Sequence, residues 1–319
     1  MTKMPYRSYR RSSLRRRAPR STRRYSNRSK SRRSSTRRAP YRRRSSRRMS
    51  KRALLNVTSR KKRDEMSCYT NSTAANQTGS ATYAQQPAVV TGGLSVNTCA
   101  AFLWIATGRD NTLNSGGGNG NIFNQATRTS TTPYMVGLKE KIEIQCNTGM
   151  PWQWRRICFT WKGSIFPDSS SFSRSLETSN GWVRLMNQLA GTPTTAATNM
   201  NTTFNNMFKG AVNVDWTDPM TASVDNTRVS CRYDRTVTLA SGNEDGFIRN
   251  YSMWHPMKKT LIYDDDESGG GTTASSYSTY GRGGMGDFYV VDLFRARSGS
   301  ATTDQLTVNP TATLYWHEK

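Results

Sequence analysis

The chain has 319 residues and a formal charge of +26, from 47 basic and 21 acidic side chains. The excess lies in residues 1–63, which hold 27 Lys or Arg and no acid, while residues 64–319 hold 20 basic and 21 acidic residues and net −1. This division excludes a uniformly basic globule, and it excludes a wholly disordered chain, because a near-neutral body of 256 residues is long enough to bury a core.

Residues 1–52 are low-complexity Arg and Ser with one Leu (Leu14) and no Ile, Val, Phe or Trp. Such a segment has too little apolar surface to offset its ordering entropy, so a disordered arm is expected. Its arginines are Arg7, Arg10, Arg11, Arg15, Arg16, Arg17, Arg20, Arg23, Arg24, Arg28, Arg32, Arg33, Arg37, Arg38, Arg42, Arg43, Arg44, Arg47 and Arg48, followed by Arg52. The guanidinium fork makes bidentate phosphate contacts and stacks on bases, which points to nucleic acid as the partner of these residues. Tyr6, Tyr9, Tyr25 and Tyr41 are interleaved and offer stacking faces for unpaired bases. No helix-turn-helix, zinc finger or heptad accompanies the basic run, so binding is expected to be electrostatic and largely independent of sequence. Arg42, Arg43, Arg44, Arg47 and Arg48, with Arg60, Lys61, Lys62 and Arg63, also fit the basic clusters that nuclear import receptors read.

Beyond residue 63 the pattern becomes that of strands between polar loops. Thr98–Ala106 is a candidate strand. In Tyr134–Cys146, the residues Tyr134, Val136, Leu138, Ile142, Ile144 and Cys146 share a face, with Glu140 the exception to the alternation. Gln153–Trp161 follows. Gly181–Ala190 places Trp182, Leu185, Met186 and Leu189 at helical spacing and predicts a helix. Phe208–Val214 is a weak strand. Val229–Leu239 alternates with Arg235 as its exception, and Phe247–Met253 with Thr260–Tyr263, Phe288–Arg295 and Val308–Trp316 complete about eight strands. The stretches Ser115–Asn121 and Ser268–Gly286 are Gly-rich loops, and Gly116–Asn121 and Ser268–Gly284 within them are expected on an outer surface, since loops tolerate variation and carry contacts. Few helices, long loops and this many strands in one body fit a two-sheet sandwich or a jelly roll, which periodicity does not tell apart.

Signs of chemistry are sparse. No GxxxxGK[ST] motif occurs, and the two histidines, His255 and His317, form no metal pair and no recognisable triad, so a non-enzymatic protein without cofactors is expected. The five cysteines Cys68, Cys99, Cys146, Cys158 and Cys231 lack CxxC spacing and read as reduced core thiols. Asp264-Asp265-Asp266-Glu267 offers four carboxylates to a hard cation, although its spacing matches no EF-hand, and the competing reading is a solvated loop. No apolar run approaches the ~20 residues of a membrane span, and the start of the chain has no apolar stretch of the secretory type, so neither membrane insertion nor secretion is expected.

At the junction, Met49-Ser50-Lys51-Arg52 is followed by Leu54-Leu55-Asn56-Val57-Thr58-Ser59-Arg60-Lys61-Lys62-Arg63-Asp64. This segment, with the Arg/Ser/Tyr-rich start, the length and the strand-rich remainder, resembles the capsid proteins of genomoviruses, the gemycircularvirus group of small circular single-stranded DNA viruses. The resemblance implies an all-β, eight-stranded jelly-roll subunit at residues 64–319 behind a disordered nucleic-acid-binding and nuclear-targeting arm at residues 1–63. It also implies self-assembly into a 60-copy (T=1) icosahedral shell, packaging of circular single-stranded DNA, import through host nuclear receptors, and residence in the virion and the host nucleus. Sixty copies of a 27-charge arm carry roughly 1,600 positive charges, which suits a genome on the order of 2,000 nucleotides. Two other readings compete. A cellular Arg/Ser-rich nucleic-acid-binding protein with a β-sandwich module would usually bring an aromatic RNA-reading strand pattern, and none appears. A β-sandwich enzyme with a basic tail would need an acid–base constellation.

Overall fold

The computed structural model describes residues 49–77, 79–94, 98–114, 117–163, 173–189 and 193–319, and residues from Met49 onward form one compact unit. In chain order the main elements are α1 (Lys51–Thr58), β1 (Arg60–Met66), β2 (Ala88–Thr91), β3 (Ala100–Ile105), β4 (Tyr134–Cys146), β5 (Trp152–Trp161), α2 (Pro193–Met207), β6 (Ser230–Leu239), β7 (Phe247–Thr260), β8 (Asp287–Ala296) and β9 (Gln305–Glu318). One sheet has the order β1-β9-β4-β7, with β2 also paired to β9, and a second has the order β6-β5-β8-β3. Every pairing in both is antiparallel. The protein is therefore an all-β sandwich.

The two sheets bury a shared core. Met66, Leu138, Leu314 and Trp316 of the first meet Trp104, Cys158, Phe288 and Val290 of the second. At one end Ile142, Ile144 and Val308 meet Phe102, Trp154 and Phe294. The far side of the second sheet is covered too: Leu103, Ile157, Phe159 and Val291 pack against Leu189, Phe204, Met207, Phe208 and Met220. A strand buried on both faces has no reason to alternate, and β3, β5 and β8 are almost continuously buried. Among the described residues no hydrophobic cluster covers the outer face of the first sheet, and β9 alternates cleanly between buried Val308, Ala312, Leu314 and Trp316 and more exposed residues between them.

Several expectations change. The helix predicted at Gly181–Ala190 is absent: Gly181–Trp182 pairs with Glu177–Thr178, and Arg184–Met186 pairs in parallel with Cys68–Thr70. Its apolar residues Leu185, Met186 and Leu189 are buried as the spacing implied. The segment runs extended against β3, however, with Leu103 N–H donating to Asn187 O and Leu189 N–H to Ala101 O. The strand predicted at Phe208–Val214 is also absent, since the main helix, α2, precedes it. Pro193 at the first helical position starts that helix, and Met200, Phe204 and Met207 give it an apolar stripe, continued by Phe208 just past its end, within a Thr- and Asn-rich sequence of low helix propensity. Phe247–Met253 and Thr260 belong to one continuous strand, β7, irregular between Pro256 and Lys259, where Lys258 has φ +50°. Finally, β1 crosses residue 63, so Arg60–Arg63 belong to the sandwich and not to the arm.

An ionic cluster lies inside the core. Arg156 (β5) forks onto Asp292 (β8) at 2.7 and 2.8 Å and reaches Glu140 (β4) at 2.6 Å. Arg184 donates to the same two carboxylates at 2.9 and 3.1 Å. Trp154 Nε1 donates to Asp292 at 2.8 Å, and the Arg184 guanidinium lies 4.4 Å from the Trp104 ring centre. Burial opposes the ionisation of Asp292, but the Arg156 charge and its hydrogen bonds, with Arg184 behind, hold the carboxyl down at about 2. His255 sits 3.6 Å from Glu140, and burial lowers its pKa against the pull of that carboxylate. Two arginines thus face two carboxylates, and the cluster is neutral overall.

Candidate nucleic-acid interface

The arm arginines from Arg7 to Arg48, including the import cluster Arg42–Arg44 with Arg47 and Arg48, lie outside the described residues. The second import cluster is described, and strand pleating divides it. Arg60, Lys61 and Arg63 are exposed on β1. Lys62 points inward, with both it and Glu318 almost fully buried, and its Nζ lies 3.0 Å from Glu318, 2.8 Å from Thr127 O and 3.1 Å from Thr129 Oγ1. Burial would raise the pKa of Glu318, but hydrogen bonds from Thr129, Trp316 and Lys62 hold it below the usual carboxylate range. Lys62 is therefore committed to closing the β1–β9 edge. Lys62→Met is expected to cost about 3 kcal/mol in urea unfolding by leaving Glu318 without its cation. Lys61→Met, at an exposed position beside it, is expected to change stability by less than about 0.5 kcal/mol.

The outer face of the first sheet carries a mixed aromatic and basic surface. Direct pairing puts Lys61, His317 and Tyr134 in one row and Arg63, Tyr315 and Gly137 in the next, with Trp254 alongside Lys139. Lys61, Arg63, Lys139 and Lys141 are exposed, against two carboxylates on the same face, Glu65 and Glu143. Trp254 is 48% exposed and Tyr134 42%, unusually open for large aromatic side chains. Trp254 and Tyr315 meet edge to face at 5.8 Å across β4. The residue between them is Gly137, where a Cβ would lie 2.6 Å from Trp254 Cζ2, so only glycine lets the indole lie over the strand. Tyr134 and His317 form a second ring pair at 6.3 Å. Partial burial and the nearby Lys61 charge lower the His317 pKa, favouring a neutral ring at pH 7. The sequence patterns singled out Lys61 and Arg63 as a basic cluster but did not assemble this face, because its residues come from four strands spread from Lys61 to His317.

The acidic run does not converge. Asp265 turns inward and takes a two-pronged ion pair from Arg128 at 2.6 and 3.0 Å, and Arg128 lies 3.8 Å from the Tyr263 ring centre. Asp264, Asp266 and Glu267 are exposed, the latter two in a short hairpin, Asp266–Ser268 with Gly271–Thr273. No group of three or more His, Cys, Asp or Glu residues placed to hold a metal occurs among the described residues. The five cysteines are free thiols, four of them buried. No helix among the described residues is long and apolar enough to cross a membrane.

A different carboxylate is electrostatically strained. Burial pushes Asp287 up to about 6, against hydrogen bonds from Ser278 and Thr107 that favour its ionised form. A folded pKa above the unfolded 3.8 means that its contribution to stability is full below pH 3.8 and is lost as pH rises through about 6. The shift corresponds to about 3 kcal/mol. The stability of the wild type relative to Asp287→Asn, measured by urea unfolding, is therefore expected to be greater at pH 4 than at pH 7 by up to that amount.

No protein-family model matches the chain, and no curated protein matches it.

Proposed function

We propose that the chain is a viral coat protein that assembles into a 60-copy (T=1) icosahedral shell and packages circular single-stranded DNA through its basic arm. The role is structural, without a catalytic step. The observation that carries the reading is a polycation joined to a sandwich of small net charge: residues 1–48 hold 21 Lys or Arg and no acid, ahead of the compact unit from Met49, which holds 26 basic and 21 acidic residues and nets +5. A body with so little net charge for its size packs against copies of itself with little repulsion, while the arm neutralises phosphates.

We read the sandwich as a jelly roll of eight long strands, and its pairing supports this. Numbering β1, β3, β4, β5, β6, β7, β8 and β9 from one to eight, the antiparallel partners are one with eight, two with seven, three with six and four with five. A single antiparallel ribbon rolled onto itself produces that series. The joins between eight and three and between seven and four then make the two sheets. The cluster Arg42–Arg44 with Arg47 and Arg48, and the exposed Arg60, Lys61 and Arg63, are assigned to host import receptors, which would bring the protein to the nucleus during assembly and to the virion afterwards.

Electron microscopy of the purified full-length protein tests the reading. Uniform icosahedral particles containing DNA are expected. A monomer that persists at all salt concentrations, with selective binding to RNA, would favour a cellular nucleic-acid-binding protein instead.

A further inference from the structure

We infer that the outer face of the β1-β9-β4-β7 sheet is a second DNA-binding surface, on which unpaired bases stack against Trp254, Tyr315 and Tyr134 while Lys139, Lys141, Lys61 and Arg63 hold the phosphates. The inference rests on the coat-protein reading and adds to it a position: this face lines the inside of the shell.

Four observations support it. Among the described residues one long sheet face lies outside every hydrophobic cluster, while the other sheet is buried on both sides. Charge on the open face favours a polyanion, with four exposed cations against two carboxylates. Exposed rings among those cations provide what an extended single strand needs: each base offers a flat face, and stacking on aromatic side chains tolerates any sequence. The glycine at Gly137 keeps the Trp254 ring over the sheet, where an added Cβ would meet it.

Spacing favours a single strand over a duplex. The ring rows are two residues apart along the strands, at about 6.8 Å. That is about twice the 3.4 Å rise per nucleotide within one strand of B-DNA. Bases engaging successive rows are therefore drawn apart and unstacked, which a paired helix resists. The location also agrees with the chain path, because β1 follows the basic arm within about a dozen residues.

The test uses the full-length protein and a single-stranded oligonucleotide carrying 5-bromodeoxyuridine, cross-linked by ultraviolet light and mapped by peptide mass spectrometry. Cross-links are expected in the peptides holding Tyr134, Trp254 and Tyr315 as well as in the arm. Trp254→Ala should weaken oligonucleotide binding by about 5- to 150-fold, the range for stacking one base, and Trp254→Phe should restore most of it. Lys139→Gln with Lys141→Gln should make the slope of log affinity against log salt shallower by about 1.4, from two phosphates at about 0.7 each on a single strand. Cross-links confined to the arm, with an unchanged salt slope, overturn the inference and leave the coat-protein reading standing. Variants that stop particle assembly without changing oligonucleotide binding also overturn it, because the face would then be a contact between copies. Wild-type protein that forms no particles and binds no DNA removes the coat-protein reading itself.

Discussion

Deleting residues 1–50 is expected to give particles that assemble but contain little or no DNA. The deletion removes 21 of the 27 basic residues in the first 63 and leaves β1 and the rest of the sandwich complete. On a single strand each neutralised phosphate contributes about 0.7 to the salt dependence of binding, so the arm outweighs the four exposed cations on the sheet face by a wide margin. The loss is read as a fall in the 260 to 280 nm absorbance ratio of purified particles, together with nuclease-resistant DNA per particle. A moderate loss, with DNA still bound at low salt, would show the sheet face at work alone. Truncated particles carrying the normal amount of DNA would refute the role assigned to the arm. The truncation gives up the Ser50 cap of α1, which accepts from Ala53 N–H, at a cost of about 1 kcal/mol, and should go no further, because Lys62 closes the β1–β9 edge. A deletion through residue 63 removes four of the seven residues of β1 as well, and any loss of particles would then reflect a broken sheet.

Legibility in the sequence follows from which faces are buried. β9 and most of β4 alternate because one side meets the core and the other is open, so their residues announce both strand and orientation. β5 and β8 are found as apolar runs, but with no face to assign. Bulges mislead in a specific way. Tyr134 and Val136 read as inward by parity, yet Met135 pairs with Trp316 and is the buried residue, because the register shifts beside it. Cys231 and Tyr233 share a sequence parity and pack in different clusters, since a register shift separates them. β1 was hidden by its own charge: in RKKRDEM the inward residues are Lys62, Asp64 and Met66, and only their partners Glu318 and Arg109 make such burial tolerable. The open aromatic and basic face was unreadable for another reason. Its residues lie on four strands, and only the pairing register brings them into rows.

Glu140, the exception to the alternation of β4, is the residue whose removal is expected to damage the fold most. Glu140→Ala takes away the carboxylate shared by Arg156 and Arg184 and leaves two guanidinium groups facing Asp292 alone, in a site where all four side chains are almost fully buried. Breaking a buried pair from one side costs about 3–5 kcal/mol, a large part of a domain's usual 5–15 kcal/mol. The variant is expected to unfold at much lower urea, or to fail to accumulate as folded protein. Replacing Glu140 and Arg156 together, each by Met, should recover much of the loss, because Arg184 and Asp292 still pair at 3.1 Å and no unmatched charge remains. A double-mutant cycle over these two positions, read by urea unfolding of soluble protein, is expected to show coupling above about 1 kcal/mol. Additive losses would mean that the cluster contributes volume and not ion pairing. Acid provides an independent check. The folded Asp292 pKa of about 2 lies below its unfolded value of 3.8, so its contribution is present above pH 3.8 and is lost as pH falls through 2. Asp292 should therefore keep its charge, and its pairs with Arg156 and Arg184, in mild acid near pH 4–5. The arrangement also explains why a core would hold charge at all. Glu140 sits on one sheet and Arg156 and Asp292 on the other, so their bonds fix how the two sheets align, a constraint that interchangeable apolar side chains do not impose.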